Sequence, residues 1–241
     1  MSGLPHRIVC CLGIIASSCI AVAAEPGEQS PVKVDAAAQV PLNFLLYLPQ
    51  DYDAQEQWPL LLFLHGSGER GDDLEQVKVH GPPKLIAAGQ HFPCIVVSPQ
   101  CPSFRRWEMT QLDSLLTHVQ ATYKVDPDRV YVTGLSLGGY GTWALAANYP
   151  DRFAAIVPIC GAGEKEAASR IAHIPTWVFH GGNDVPVPLM SSAEMVKAIE
   201  DAGGNPRFTV YPLVDHDSWT QSYDNPELYD WLLAQRRKPR D

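Results

Sequence analysis

A chain of 241 residues, 46% apolar and 19% charged, is long enough to bury one substantial core and too mixed in composition for a fibrous or disordered protein. Its formal net charge of −9 disfavours nucleic acid as a partner. No Cys-x-x-Cys or His-x-x-x-His spacing offers a zinc site, so neither a metal nor a cofactor is expected.

In chain order, residues 1–24 read as a secretory signal peptide. Arg7 lies in a short n-region, an apolar run extends from Ile8 to Val22, and small residues follow at Ala21-Val22-Ala23-Ala24. About fifteen apolar residues fall short of the roughly twenty that span a bilayer, and no basic cluster follows, so no membrane span is expected. Cleavage near Ala24 predicts a secreted or periplasmic chain of net charge −10, because Arg7 is the only charge removed. Ala16-Ser17-Ser18-Cys19 is a lipoprotein-type alternative, but it lacks the usual leucine upstream of the cysteine.

Residues 25–39, polar and alanine-rich with Pro26, Gly27 and Pro31, suit a flexible leader. The folded domain is expected over 40–236. Residues 237–241 are expected as a tail, within the basic, solvated ending Arg236-Arg237-Lys238-Pro239-Arg240. The mature chain retains Cys94, Cys101 and Cys160. If Cys94 opens a strand, seven residues carry Cys101 about 20 Å away, beyond the roughly 7 Å that a disulfide bridges.

Strands are predicted at Leu42–Leu48, Leu60–His65, Cys94–Ser98, Val130–Thr133, Ala155–Ile159, Thr176–His180 and Phe208–Tyr211. Continuous apolar runs such as Leu60-Leu61-Leu62-Phe63-Leu64 suit strands covered on both faces. Between them lie helical patterns. Thr110 with Asp113 reads as a capping box before the stripe Leu112, Leu115, Leu116, Val119 and Tyr123. Ser191 with Glu194 repeats the box before Met195, Val196 and Ile199, and Gly203-Gly204 ends that helix. Pro226 opens a last helix with Leu228, Tyr229, Leu232 and Leu233 on its inner face. This alternation predicts an α/β fold with a mostly parallel central sheet flanked by helices.

The strongest chemical signal is Gly134-Leu135-Ser136-Leu137-Gly138, directly after one predicted strand and before a helical stretch. Such a sharp strand-to-helix turn exposes a serine in a strained conformation and leaves no room for neighbouring side chains. A serine hydroxyl needs a base, and the base needs an orienting acid. Asp184, in Gly181-Gly182-Asn183-Asp184-Val185-Pro186, and His216, in Asp215-His216-Asp217-Ser218-Trp219, follow later strands in that order. Ligands of open α/β sheets gather at those carboxyl ends. Asp215, Asp217 and Asp224 are rival acids, while His65 and His180, each preceding a glycine at a strand end, read as loop braces. An oxyanion hole needs two backbone N–H groups, assigned here to Leu137 and to Ser67 in His65-Gly66-Ser67-Gly68-Glu69-Arg70-Gly71. Glu69, Arg70 and Asp72 read as internal braces of that loop, and Trp107 and Trp219 as candidates for an aromatic substrate subsite or for plain packing.

These motifs, with Ser98-Pro99-Gln100-Cys101-Pro102, resemble the lidless esterase branch of the α/β hydrolases. The resemblance lies near dienelactone-hydrolase-like proteins, feruloyl and acetyl esterases of polysaccharides, and secreted peptidases of the prolyl-oligopeptidase type; it covers Leu42 to Leu233. It implies an α/β-hydrolase fold and a serine hydrolase acting on small-molecule or polysaccharide-linked esters. A peptidase, or an inactive binding module on the same fold, is the alternative. Two departures stand out. Dienelactone hydrolases carry cysteine where this chain has Ser136, and relatives usually have glycine where this chain has Asp215, which sets a negative charge beside the base and implies a different backbone there. Only fourteen residues, Gly161 to Ile174, separate Cys160 from Pro175, too few for a cap domain with its own core.

Overall fold

The computed structural model describes residues 24–33 and 42–237. Their strands are β1 (Gln29–Val32), β2 (Phe44–Tyr47), β3 (Trp58–Leu64), β4 (Ile95–Pro99), β5 (Val125–Leu135), β6 (Ala155–Ile159), β7 (Trp177–Gly181) and β8 (Arg207–Tyr211). They form one sheet in the order β1-β2-β4-β3-β5-β6-β7-β8. The first two neighbour pairs are antiparallel and the rest parallel.

Alternation along the buried strands explains why their runs are apolar without a break. Leu60, Leu62 and Leu64 of β3 join one core with Val97, Val132 and Ile156, while Leu61 and Phe63 join a second with Val96, Tyr131 and Val157. Each face then needs its own helical cover. The first core is closed by α2 (Met109–Thr122), α3 (Leu137–Asn148), the short α4 (Ala168–Ile171) and α5 (Met190–Asp201). On the other face lie α1 (Gly81–Ala87), α6 (Trp219–Tyr223) and α7 (Pro226–Leu233). Helix α1 begins Gly81-Pro82-Pro83, and proline is well suited to a helix's first turn. Leu112, Leu115, Leu116 and Val119 of α2, and Met195, Val196 and Ile199 of α5, are buried as their spacing predicts.

Three expectations are corrected. The segment expected as a flexible leader contributes β1, whose backbone pairs Gln29 with Tyr47 and Val32 with Phe44 and so covers the edge of β2. Neither capping box forms. Glu108 O already accepts from Gln111 N, and Pro188 O from Ser191 N, so both helices begin earlier and no side chain caps them. Asp113 instead meets Arg152, and Glu194 meets Lys165. At the basic ending, Arg236 pairs with Asp126 and Arg237 with Asp128, two acids at the start of β5.

Between β6 and β7 only a 3-10 turn (Lys165–Ala167) and α4 intervene, so among the described residues no cap domain is inserted there. Among the described residues no helix is long and apolar enough to cross a membrane.

The closest backbone approach lies where β5 turns into α3. A Cβ on Gly138 would overlap Leu64 O and come within 2.9 Å of His65 O, atoms of a central strand end that cannot move aside. Gly138→Ala should therefore lower stability by about 3 kcal/mol or more, read as the midpoint shift in urea unfolding.

Candidate active site

The β5–α3 turn holds Ser136 at φ 50°, ψ −114°, a conformation sparsely populated by residues with a side chain. Its neighbours make this possible. A Cβ at Gly134 would overlap Gly138 O, and one at Gly139 would overlap Ile159 O. Ser136 N donates to Ile159 O at 3.0 Å, and Ser136 O accepts from Tyr140 N at 3.0 Å, so the strained residue is gripped from both sides.

Two later strand ends deliver the other groups. His216 Nε2 lies 3.0 Å from Ser136 Oγ, and His216 Nδ1 lies 2.7 Å from Asp184 Oδ2. A carboxylate can only accept, so Nδ1 carries the hydrogen and Nε2 is left free to take the serine proton. The Asp184 side chain is fully buried, and its Oδ1 accepts from Val187 N at 2.9 Å. Of the rival acids, Asp217 is exposed and accepts from Thr220 N and Oγ1 instead. Asp215 is exposed as well and does not take a positive φ, so its position needs no glycine. Room is made on the other side, since a Cβ at Gly181 would overlap Asp215 O and Val214 O.

The loop after β3 reaches the same turn. A Cβ on Gly66 would meet Leu135 Cδ1 at 2.8 Å, so the loop bearing Ser67 lies against the turn bearing Leu137. Arg70 braces this loop, donating from Nε to Ser67 O at 2.9 Å and from Nη1 to Arg105 O at 3.1 Å. Glu69 is buried with His65 Nδ1 at 3.7 Å and His80 Nε2 at 3.8 Å. The two tryptophans part company. Trp107 is buried, donates to His65 O at 3.3 Å and packs on Gly141, which matches the packing alternative. Trp219 is half-buried beside the site, its ring edge-on to His216 at 5.2 Å, its Nε1 donating to His80 Nδ1 at 3.3 Å.

Two further residues approach Ser136, Asp184 and His216: Cys160, which the sequence left without a role, and His180, which it read as a loop brace. Cys160, at φ 39° after β6, has its thiol within 4.8 Å of the Asp184 and His216 ligand atoms. Burial pushes that thiol up to about 12, which withholds the thiolate a metal would need, and the other two donors are already committed to each other. The second is His180, whose Nε2 lies 3.2 Å from Asp184 Oδ2; the only sequence signal was a histidine at a strand end, four residues before the acid. Cys94 and Cys101 are buried free thiols.

The family model of the dienelactone hydrolase family matches residues 105–229. A thermostable esterase of known structure superimposes with TM-score 0.72 at 33% identity, over 87% of this chain and 63% of that one. Poly(3-hydroxyalkanoate) depolymerase C of Paucimonas lemoignei is 44% identical over 62 residues, 26% of this chain and 15% of the depolymerase. Probable feruloyl esterase C of Aspergillus terreus is 23% identical over 202 residues, 80% of this chain and 73% of that protein. The chain thus spans less than two thirds of the depolymerase and of the thermostable esterase.

Behind the serine, His65 is fully buried. Cys101 N donates to its Nε2 at 3.0 Å, so Nδ1 donates to Gly66 O at 2.6 Å and the ring is neutral. Burial holds its pKa down at about 4, against 6.5 in the unfolded chain. Between those values the unfolded chain binds a proton that the folded chain refuses, so stability is complete above pH 6.5 and falls as pH drops towards 4. The expected loss is about 3 kcal/mol. Urea unfolding of the wild type across that range should show this slope, and His65→Gln should flatten it; an unchanged slope would remove His65 as its source.

Proposed function

Because this chain belongs to the dienelactone hydrolase family, and because Ser136, His216 and Asp184 form one unbroken hydrogen-bonded series, we propose that it hydrolyses carboxylic esters through an acyl-enzyme on Ser136. The observation that carries this reading is the 3.0 Å contact between Ser136 Oγ and His216 Nε2, with the far ring nitrogen tied to a buried carboxylate.

In this reading His216 Nε2 takes the hydroxyl proton as Oγ bonds to the ester carbonyl carbon, and the carbonyl oxygen becomes an oxyanion facing the N–H groups of Ser67 and Leu137. As the C–O bond to the alcohol breaks, His216 returns the proton to the departing oxygen. Water then repeats the sequence on the acyl-enzyme: His216 accepts its proton, the hydroxyl adds to the carbonyl, and Oγ leaves with the proton. Asp184 keeps Nδ1 protonated and stabilises the imidazolium formed at each step. Trp219, beside His216, would contact the substrate. The similarity to ester-cleaving proteins supports an ester as the scissile group, with small-molecule or polysaccharide-linked esters as the substrate class. No observation of its own favours the peptidase alternative.

We place the hydrolase domain at 40–236 together with its edge strand β1 (Gln29–Val32), and read the protein as exported. The proposed signal peptide lies, apart from Ala24, outside the described residues, so export rests on the sequence pattern of 1–24.

Ser136→Ala should lower kcat on a short-chain p-nitrophenyl ester by several orders of magnitude with the fold intact. A fluorophosphonate should label Ser136 alone, and peptide mapping that found the label on Ser67 or Ser218 would overturn the assignment. Asp184→Asn should lose about 10⁴-fold in kcat. Asp217→Asn should stay near wild type, because that carboxylate caps α6.

With no cap over the strand ends, the rate on tributyrin should rise smoothly through its solubility limit. A sharp increase above that limit would show that the loop around Phe104, which is almost fully exposed, closes over the serine.

A further inference from the structure

His180 has no role in the reaction written above, yet it touches the residue that orients the base. It is the penultimate residue of β7 and is fully buried. Its Nε2 lies 2.8 Å from Val187 O and 3.2 Å from Asp184 Oδ2. Both of those oxygens can only accept, so Nε2 bears the hydrogen, which it donates to Val187 O, and a neutral ring is the Nε2–H tautomer with Nδ1 as acceptor. Val187 in turn donates its N–H to Asp184 Oδ1 at 2.9 Å, which closes a small ring of contacts through Asp184, Val187 and His180. On the other side, His180 Nδ1 shares a 2.7 Å hydrogen bond with Ser192 Oγ, at the start of α5, and Ser192 Oγ lies 3.1 Å from Gly161 O. Gly161 packs against Gly139 and Tyr140 in the first turn of α3, next to Ser136.

We propose that His180 is a positioning residue: its Nε2–H donates to Val187 O and so fixes the residue whose N–H holds Asp184 Oδ1, with Asp184 Oδ2 itself 3.2 Å away, while its Nδ1 accepts from Ser192 Oγ and anchors the acid loop to the start of α5. The physical need is plain. Asp184 sits in an irregular segment between β7 and α5, and a buried carboxylate could rotate about its own side-chain bonds. Val187, held in place by His180, removes that freedom on the side away from His216. A histidine that merely filled space would need neither nitrogen so engaged.

The inference rests on the triad reading, and one set of variants separates the two. His180→Phe keeps the aromatic volume and loses both ring nitrogens, whereas His180→Gln keeps an N–H donor able to reach Val187 O. Rates are taken per active site, titrated with a fluorophosphonate, so that unfolded protein does not count. The expected result for His180→Phe is a fall in kcat of about 10- to 100-fold with KM changed less than about twofold, and substantial recovery in His180→Gln. The low-field proton signal of His216 Nδ1–H should be lost or shifted in His180→Phe and retained in His180→Gln. If His180→Phe does not fold, Ser192→Ala, which removes the second tie, should show the same selective loss in kcat to a smaller degree. Wild-type kcat per titrated site in His180→Phe, or in Ser192→Ala where that variant stands in, would overturn the positioning role, provided Asp184→Asn is crippled. Full activity in Asp184→Asn would instead sink the triad reading itself.

Discussion

Everything at the site depends on how closely the β5–α3 turn approaches the end of β3. Gly138 sits so near Leu64 O and His65 O that no side chain fits, and Gly139 stands in the same relation to Ile159 O on the opposite flank. Backbone on both sides therefore fixes a turn that Ser136 would not adopt alone, and the resulting strain lifts its hydroxyl out of the sheet. The cost is carried by the surrounding sheet. Central strands buried on both faces make the turn's supports the least deformable part of the molecule.

From that anchor the remaining groups arrive along parallel strands. In a parallel sheet every carboxyl end points the same way, so loops after β3, β5, β6, β7 and β8 converge on one rim. The loop bearing Ser67, the serine turn, Cys160, Asp184 and His216 are these five contributions. Their spacing in sequence is large and irregular, but their spacing in space follows from strand pitch and register.

Electrostatically the rim holds two buried groups kept neutral and one buried carboxyl met by donors. His65 is buried with each ring nitrogen committed to backbone, and Cys160 is pushed up by burial, so neither brings charge to the serine. Asp184, also buried, is met instead by donors from Val187 and His216, with His180 Nε2 3.2 Å from its other side. A carboxylate removed from water in this way is tolerable only because its oxygens are met, and the same donors fix its direction.

Much of this was legible in the chain itself. Unbroken apolar runs identified strands covered on both faces, the glycines around Ser136 identified a tight turn, and the order serine, acid, histidine at successive strand ends nominated Ser136, Asp184 and His216. Such features are local, because they express which conformation a short segment can adopt and which face it must hide. Others were not local. Trp107 could be either subsite or core until the fold packed it on Gly141 and His65. The backbone of 29–32 carries no apolar pattern that marks an edge strand, since its pairing with β2 is made by main-chain groups common to every residue. Thr110 and Ser191 had the spacing of caps, but the chain entered both helices earlier. His180 was one histidine among eight. Its bond to Val187 and its contact with Asp184 depend on how the loop after β7 folds back, and that path is set by contacts between residues far apart in the chain.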